Sequence, residues 1–302
     1  MKRKWIRRVS WILLTPVLLF VILMILLYIP PVQNLLRREV TAYASKATGM
    51  QIQVERIDLR FPLNLLVRGV EVIQQPDTLL SLESLNVRVQ AWPLVKGKVE
   101  VDEVTLSQVA FNSANLIEGM KIKGVLGRFF LQSHGVDLSN ELAVINQTEL
   151  SDTHVQMLMN DTTTTPKDTT ASAPVNWKVD LHKLKLKNVS FSMQLPADSM
   201  RMAAHIGEAF INDAQADLKN QFYELKQFLL SGSSANYDTG AAKPGEGFDA
   251  SHIAVRDIRI GLDSLLYKGR DMNAVIREFS MNERSGLSIT SLTGRAFSKD
   301  RK

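Results

Sequence analysis

A catalytic or metal site needs groups that move protons, hold ions or attack carbonyls, set at usable spacing, and this sequence offers few of them. Its five histidines, His134, His154, His182, His205 and His252, never fall within five residues of one another, so H-E-x-x-H and related metal spacings do not occur. Each reads as a surface residue of a strand or loop. Adjacent carboxylates such as Asp102 and Glu103 occupy polar positions of an alternating segment, where solvation accounts for them. Gly245, Gly247 and Ala250 fit G-x-G-x-x-A, the loosest dinucleotide fingerprint. That loop requires a strand before it and a helix after it. Here a Gly/Pro-rich stretch precedes it and the strand-like S-H-I-A-V-R-D-I follows. No Walker loop and no G-x-S-x-G elbow occur, and the chain has no cysteine, which removes thiolate nucleophiles, thiolate zinc sites and disulfides. The expectation is a non-enzymatic protein with no catalytic residue, cofactor or metal.

The charge points elsewhere. The chain of 302 residues carries 36 basic and 31 acidic side chains. Lys2, Arg3, Lys4, Arg7 and Arg8 supply the whole excess, which leaves the body balanced at 31 of each. A nucleic-acid binder needs a basic face on its folded part, so nucleic acid is not an expected partner. Trp11 to Ile29 follows the cations as 19 residues interrupted only by Thr15 and Pro16. As a helix it would span roughly 28 Å, close to the hydrocarbon thickness of a bilayer. Trp11, Leu14, Leu19, Phe20, Leu23, Leu26 and Ile29 are among its apolar residues. The only A-x-A triplet near it, Ala42–Ala44, lies well beyond its end, so the segment reads as an uncleaved anchor rather than a signal peptide. Cations before the span place the N-terminus in the cytoplasm and the bulk of the chain across the membrane. Val32, Leu35, Leu36, Val40, Tyr43 and Ala47 then recur at helical spacing between Pro31 and Gly49. They predict a short amphipathic helix that lies on a membrane, caps a groove or plugs the first strand's apolar face.

After Gly49 the period becomes two. Ile52, Val54, Ile57 and Leu59 set a pattern of apolar, one residue, apolar, then a two-residue step. Leu65, Val67, Val70 and Val72 repeat it, as do Leu80, Leu82, Leu85 and Val87. Two longer copies, Val99, Val101, Val104, Leu106, Val109, Phe111 and Val179, Leu181, Leu184, Leu186, Val189, Phe191, match at an offset of 80 residues. A weaker copy runs through Ile253, Val255, Ile258 and Ile260. Alternation places each apolar pair on one face of a strand. The two-residue step would flip the next pair, so each step predicts a bulge or bend. The outcome is a bent, mainly β sheet with one apolar and one polar face. The pattern alone leaves three covers open for the apolar face: a second packed layer, closure into a β-helix, or an apolar ligand in an open trough.

Loops punctuate this text. Residues 161–174 are polar, Thr-rich and twice interrupted by proline, and read as a disordered linker. Residues 231–250, rich in Ser, Gly and Ala, read as a second flexible loop. The stretch 213–230 is compatible with helix or bent strands and is taken as mainly strand. The expected organisation is a basic segment 1–10, an anchor 11–29, a helix region 30–49, β-repeat regions 50–160 and 175–302, and the linker between them.

The order of these features carries a resemblance. An anchored helix leads into A-T-G-M-Q-I-Q-V-E-R-I-D-L-R-F-P-L-N-L-L-V-R-G-V-E-V, then L-L-S-L-E-S-L-N-V-R-V, then P-L-V-K-G-K-V-E-V-D-E-V-T-L-S-Q-V-A-F. This resembles the N-terminal region of the AsmA/TamB superfamily of Gram-negative envelope proteins. The insertion before Trp177 looks like the Bacteroidetes type. The resemblance implies an antiparallel trough with an apolar interior, anchored in the bacterial inner membrane and reaching into the periplasm. It implies phospholipid acyl chains as ligand and carriage of phospholipid toward the outer membrane. The alternative it implies is help with outer-membrane barrel assembly alongside a barrel partner. The groove candidates are then Val99, Val101, Val104, Leu106, Val109, Phe111, Val179, Leu181, Leu184, Leu186, Val189, Phe191, Ile253, Val255, Ile258 and Ile260. Members of this group are much longer than this chain, so the sequence is expected to be the start of a longer bridge.

Overall fold

The computed structural model describes residues 29–61, 63–90, 92–93, 100–137, 140–160, 176–240, 243–269 and 271–299. The basic segment, the span as far as residue 28, Val99 and the linker 161–174 lie outside the described residues. No helix among the described residues is long and apolar enough to cross a membrane.

The body is one sheet of twelve strands in strict chain order. They are β1 (Gln51–Arg60), β2 (Asn64–Gln74), β3 (Asp77–Val89), β4 (Val101–Asn112), β5 (Met120–Asp137) and β6 (Leu142–Met159), followed by β7 (Lys178–Leu195), β8 (Met200–Asp217), β9 (Phe222–Asp238), β10 (His252–Lys268), β11 (Asp271–Glu283) and β12 (Ser288–Ser298). The sheet is bent and open, with β1 and β12 at its two edges. The two repeat regions therefore join in one sheet, through β6 and β7. That seam corrects the expectation of a wholly antiparallel sheet, because β6 and β7 run parallel, Leu142 pairing with Lys178 and Leu158 with Gln194. Periodicity sets which face a residue takes but is blind to strand direction, and the long connection between the strands permits the return.

The predicted loop at 231–250 is also corrected. Ser231 to Asp238 continue β9, and only the residues after Asp238 leave the sheet. Within it Gly232 takes a φ of 59°, and Gly207 opposite on β8 has no room for a side chain: a Cβ there would stand 2.5 Å from the Gly232 carbonyl oxygen. Residues 213–230 are strand apart from the turn Leu218–Gln221.

Among the described residues one helix, α1 (Pro30–Thr48), precedes the sheet, opened by proline and closed by Gly49 in the left-handed region. It lies along the free edge of β1. Gln33 Nε2 donates to the Leu59 carbonyl at 3.1 Å, Arg37 Nη1 donates to that of Val54 at 2.9 Å, and the Ile52 amide donates to Ser45 Oγ at 3.1 Å. An unpaired strand edge presents a row of backbone groups that invites foreign strands, and these polar side chains answer part of it. The helix thus turns Gln33, Arg37, Thr41 and Ser45 inward. Its apolar residues point away from β1: Val40 is 52 % exposed and Tyr43 77 %. It does not plug the first strand's apolar face.

No second layer covers the sheet among the described residues. The only buried apolar side chains there are Leu79, Leu82, Ala143, Leu195, Ala209 and Ala274. A compact domain of this size buries far more, so most of the apolar face is shielded only by its own neighbours.

Candidate functional site

The apolar face is built of rows that cross the strands. Cross-strand partners share a face, and following the register from β1 to β12 gives one unbroken row: Ile57, Val67, Leu85, Leu106, Phe129, Leu150, Leu186, Ala209, Leu230, Ile260, Phe279, Leu292. Every strand contributes and every member is apolar. The next row holds Leu59, Leu65, Val87, Val104, Leu131, Thr148, Leu184, Ile211, Phe228, Leu262, Ile276 and Gly294, with Thr148 its one hydroxyl. The copies offset by 80 residues are three strands apart in the same rows. Val104 aligns with Leu184, Leu106 with Leu186, Val109 with Val189 and Phe111 with Phe191. Val179 and Leu181 reach Ala216 and Ala214 on β8. Ile253, Val255, Ile258 and Ile260 face Tyr237, Ala235, Ser233 and Leu230. Val101 stays on this face because the register shifts at Arg88/Val89 and sets it opposite Val89.

The two-residue steps are where the sheet bends. Gly69, Gln108, Asp152, Asn188, Gly232 and Asp257 all have φ between 50° and 59°. Gln108, Gly127, Asp152, Asn188 and Gly207 each fall between the same two rows of paired residues, Ser107–Arg128–Ser151–Lys187–Glu208 and Val109–Leu126–Thr153–Val189–Ile206, and so form one line across the strands. Left-handed backbone costs most residues roughly 1–2 kcal/mol and is visited routinely by Gly, and occasionally by Asn or Asp. Five of the six are of those types. The chain thus places a crease across the sheet and returns the apolar pairs to the same face beyond it. That chemistry was readable in the sequence as a Gly, Asn or Asp recurring within the two-residue step.

A second line of irregularity runs through Asp213, whose φ is 50°. Its carboxylate meets His182 Nδ1 at 3.1 Å and Lys226 Nζ at 3.6 Å, tying β7, β8 and β9. The His182 hydrogen bond first, and the Lys226 charge second, hold the Asp213 carboxyl below its ordinary range. Elsewhere on the polar face, cations lie over outward aromatic rings. Lys185 Nζ is 5.6 Å from the centre of Phe210 and the Arg128 guanidinium 5.9 Å from that of Phe130. Arg88 pairs with Glu103, and Arg277 with Asp263.

Two recesses stand out. One of about 180 Å³ lies on the apolar face, walled by Phe191, Met202, Ala204, Ala235, Tyr237 and Val255. A larger one, about 900 Å³, opens between α1 and β1–β4, with Arg37, Arg38 and Thr41 facing Glu55, Glu71 and Glu83 and with Ile52, Val54, Val70 and Leu82 also in its wall.

The histidines are dispersed. His154 Nδ1 lies 2.6 Å from Ser190 Oγ, but its Nε2 is taken up by the Gln156 amide at 2.8 Å, where a triad would need a carboxylate. His252 is a correction to the surface reading. It is buried, with Nδ1 2.9 Å from Asp249 Oδ2, because the chain turns tightly into β10 there. Two amide donors, from Gly245 and Ser251, and then His252 hold the Asp249 carboxyl below its ordinary range. Of the predicted span only Ile29 is described, as the residue capping α1. Neither a protein-family model nor a curated protein matches the chain.

Proposed function

We propose that the apolar face is a groove that carries phospholipid acyl chains between the two membranes of a bacterial envelope, with no covalent chemistry. The observation that carries this reading is the row of apolar side chains continuous through all twelve strands. A binding pocket for one molecule would be closed at both ends. A row running across the strands, parallel to the crease, instead makes a track, and at about 4.8 Å per strand its length is about 53 Å. Each methylene moved from water onto such a surface is worth about 0.8 kcal/mol, and successive rows offer equivalent places. The anchor at residues 11–29 would hold the groove at the inner membrane with its body in the periplasm, in keeping with the resemblance of its N-terminal region.

The test is lipid copurification. Gently solubilised protein is expected to retain phospholipid detectable by mass spectrometry. Val104→Asp, Leu106→Asp and Leu184→Asp are expected to lose it while keeping a β-type circular dichroism spectrum. Wild-type protein free of phospholipid would overturn the proposal.

A second reading has one observation in its favour. The edge of β1 is occupied by α1, whereas the residues of β12 are almost all exposed. A strand of an outer-membrane barrel client would pair there by backbone hydrogen bonds, making the protein an assembly scaffold. Crosslinkers on β12 would then capture protein, and those on the apolar rows would capture nothing.

A further inference from the structure

Nothing among the described residues covers the outward apolar stripe of α1: Leu36 is 39 % exposed, Val40 52 % and Tyr43 77 %, on a helix whose polar stripe bonds to β1. Arg37 and Thr41 face the β1 edge and, with Arg38 and Ala42, line the recess that holds Glu55, Glu71 and Glu83. Successive helical residues are about 100° apart. Leu36 and Val40 precede Arg37 and Thr41 by one residue, so they lie on the flank of the helix opposite Arg38 and Ala42.

The chain before α1 identifies what covers this stripe. Ile29, the residue capping the helix, is the last of the 19-residue apolar run that begins at Trp11. Phe61, in the turn after β1, is 84 % exposed at the same end of the sheet, two residues past the Leu59 carbonyl that Gln33 holds. Large apolar and aromatic side chains gathered where a span leaves the bilayer are what an interfacial helix needs.

We infer that α1 lies in the lipid–water interface of the membrane that holds residues 11–29, with Leu36, Val40 and Tyr43 among the acyl chains. This rests on the anchor reading and deepens the proposed function. In this arrangement β1 is the strand nearest the bilayer, the twelve strands stack away from it, and the apolar rows begin at the strand that α1 borders.

The absence of cysteine makes the test direct. Single nitroxides are attached to the full-length chain at Leu36→Cys, Val40→Cys, Arg38→Cys and Ala42→Cys, in liposomes of phosphatidylethanolamine and phosphatidylglycerol. Accessibility to oxygen, which concentrates in the bilayer, is compared with accessibility to a water-soluble nickel chelate. Positions 36 and 40 are expected to favour oxygen, and 38 and 42 the chelate. Chelate access at 36 and 40 overturns the inference. So does shielding of 36 and 40 from both reagents, which would mean that residues 1–28 or a second copy covers the stripe. The readout is depth in the membrane, so it stands or falls separately from whether the groove holds lipid.

Discussion

Gly207 has no room for a side chain, because β8 and β9 meet there backbone to backbone. Adding a Cβ would force it to 2.5 Å from the Gly232 oxygen. Gly207→Val is therefore expected to destabilise the fold by about 1–3 kcal/mol, the usual cost of overpacking, measured by urea unfolding. Gly294 is the control: nothing lies within 4 Å of the same added atom, so Gly294→Ala should be neutral or stabilise by up to about 1 kcal/mol. Gln108 is the odd member of the crease, a long side chain in left-handed backbone with φ of 50°. Gln108→Asn is expected to recover part of the roughly 1–2 kcal/mol that this conformation costs.

A titration belongs at the same scale. Glu283 is buried where β11 turns toward β12 and accepts from the Ser285 amide at 2.6 Å and the Ala254 amide at 3.3 Å. The Ser285 hydroxyl first, then the Ser285, Ala254 and Arg284 amides, keep its carboxyl below its ordinary range. A carboxyl whose folded pKa is depressed stabilises fully above its unfolded value, near 4.3, and loses that contribution as pH falls through the folded value. Glu283→Gln should therefore narrow the gap in stability between neutral pH and pH below about 4, read by thermal unfolding at each pH. An unchanged gap would show that these hydrogen bonds contribute nothing to the pH dependence.

Among the elements, the strands were legible because alternation with a two-residue step is a local property. The crease followed from it, since a flipped face must be flipped back. Three things were not local. The direction of β7 depends on where a connection returns. The strand at Ser231–Asp238 reads as a loop from its Ser, Gly and Ala residues, and only its pairing with β8 and β10, made by residues far away in the chain, shows it to be strand. Helix α1 was legible as amphipathic, but its orientation was decided by the β1 edge, whose carbonyls need donors that Gln33 and Arg37 supply. That edge cap is open to test. Arg37→Ala removes a charge-assisted bond to the Val54 carbonyl, a class worth about 1.5–3 kcal/mol when well shielded and less at this half-exposed site. Amide exchange in β1 is expected to quicken while that of β8 and β9 stays unchanged. Uniform quickening of all strands would mean that α1 is part of the global core instead of a local cap.

At the scale of the molecule, the two halves of the chain form one bent sheet whose apolar rows pass through the β6–β7 seam without a break. Few apolar side chains are buried among the described residues, as a sheet with no second layer over it requires. A protein built this way is expected to gain stability from apolar ligand, since anything that binds the folded state alone raises its apparent stability. The balance of charge in the body, unexplained by any polar ligand, follows from a polar face on which acids and bases are interspersed and locally paired.

The central claim is that the apolar rows hold lipid along their length. The most direct measurement is photocrosslinking in cells, with a benzophenone side chain at Leu106, Leu186 or Ile260 in the row and at Lys185 on the opposite face. The account predicts phospholipid adducts at all three row positions and none at Lys185. Protein adducts alone at the row positions, or lipid adducts equally at Lys185, would contradict it.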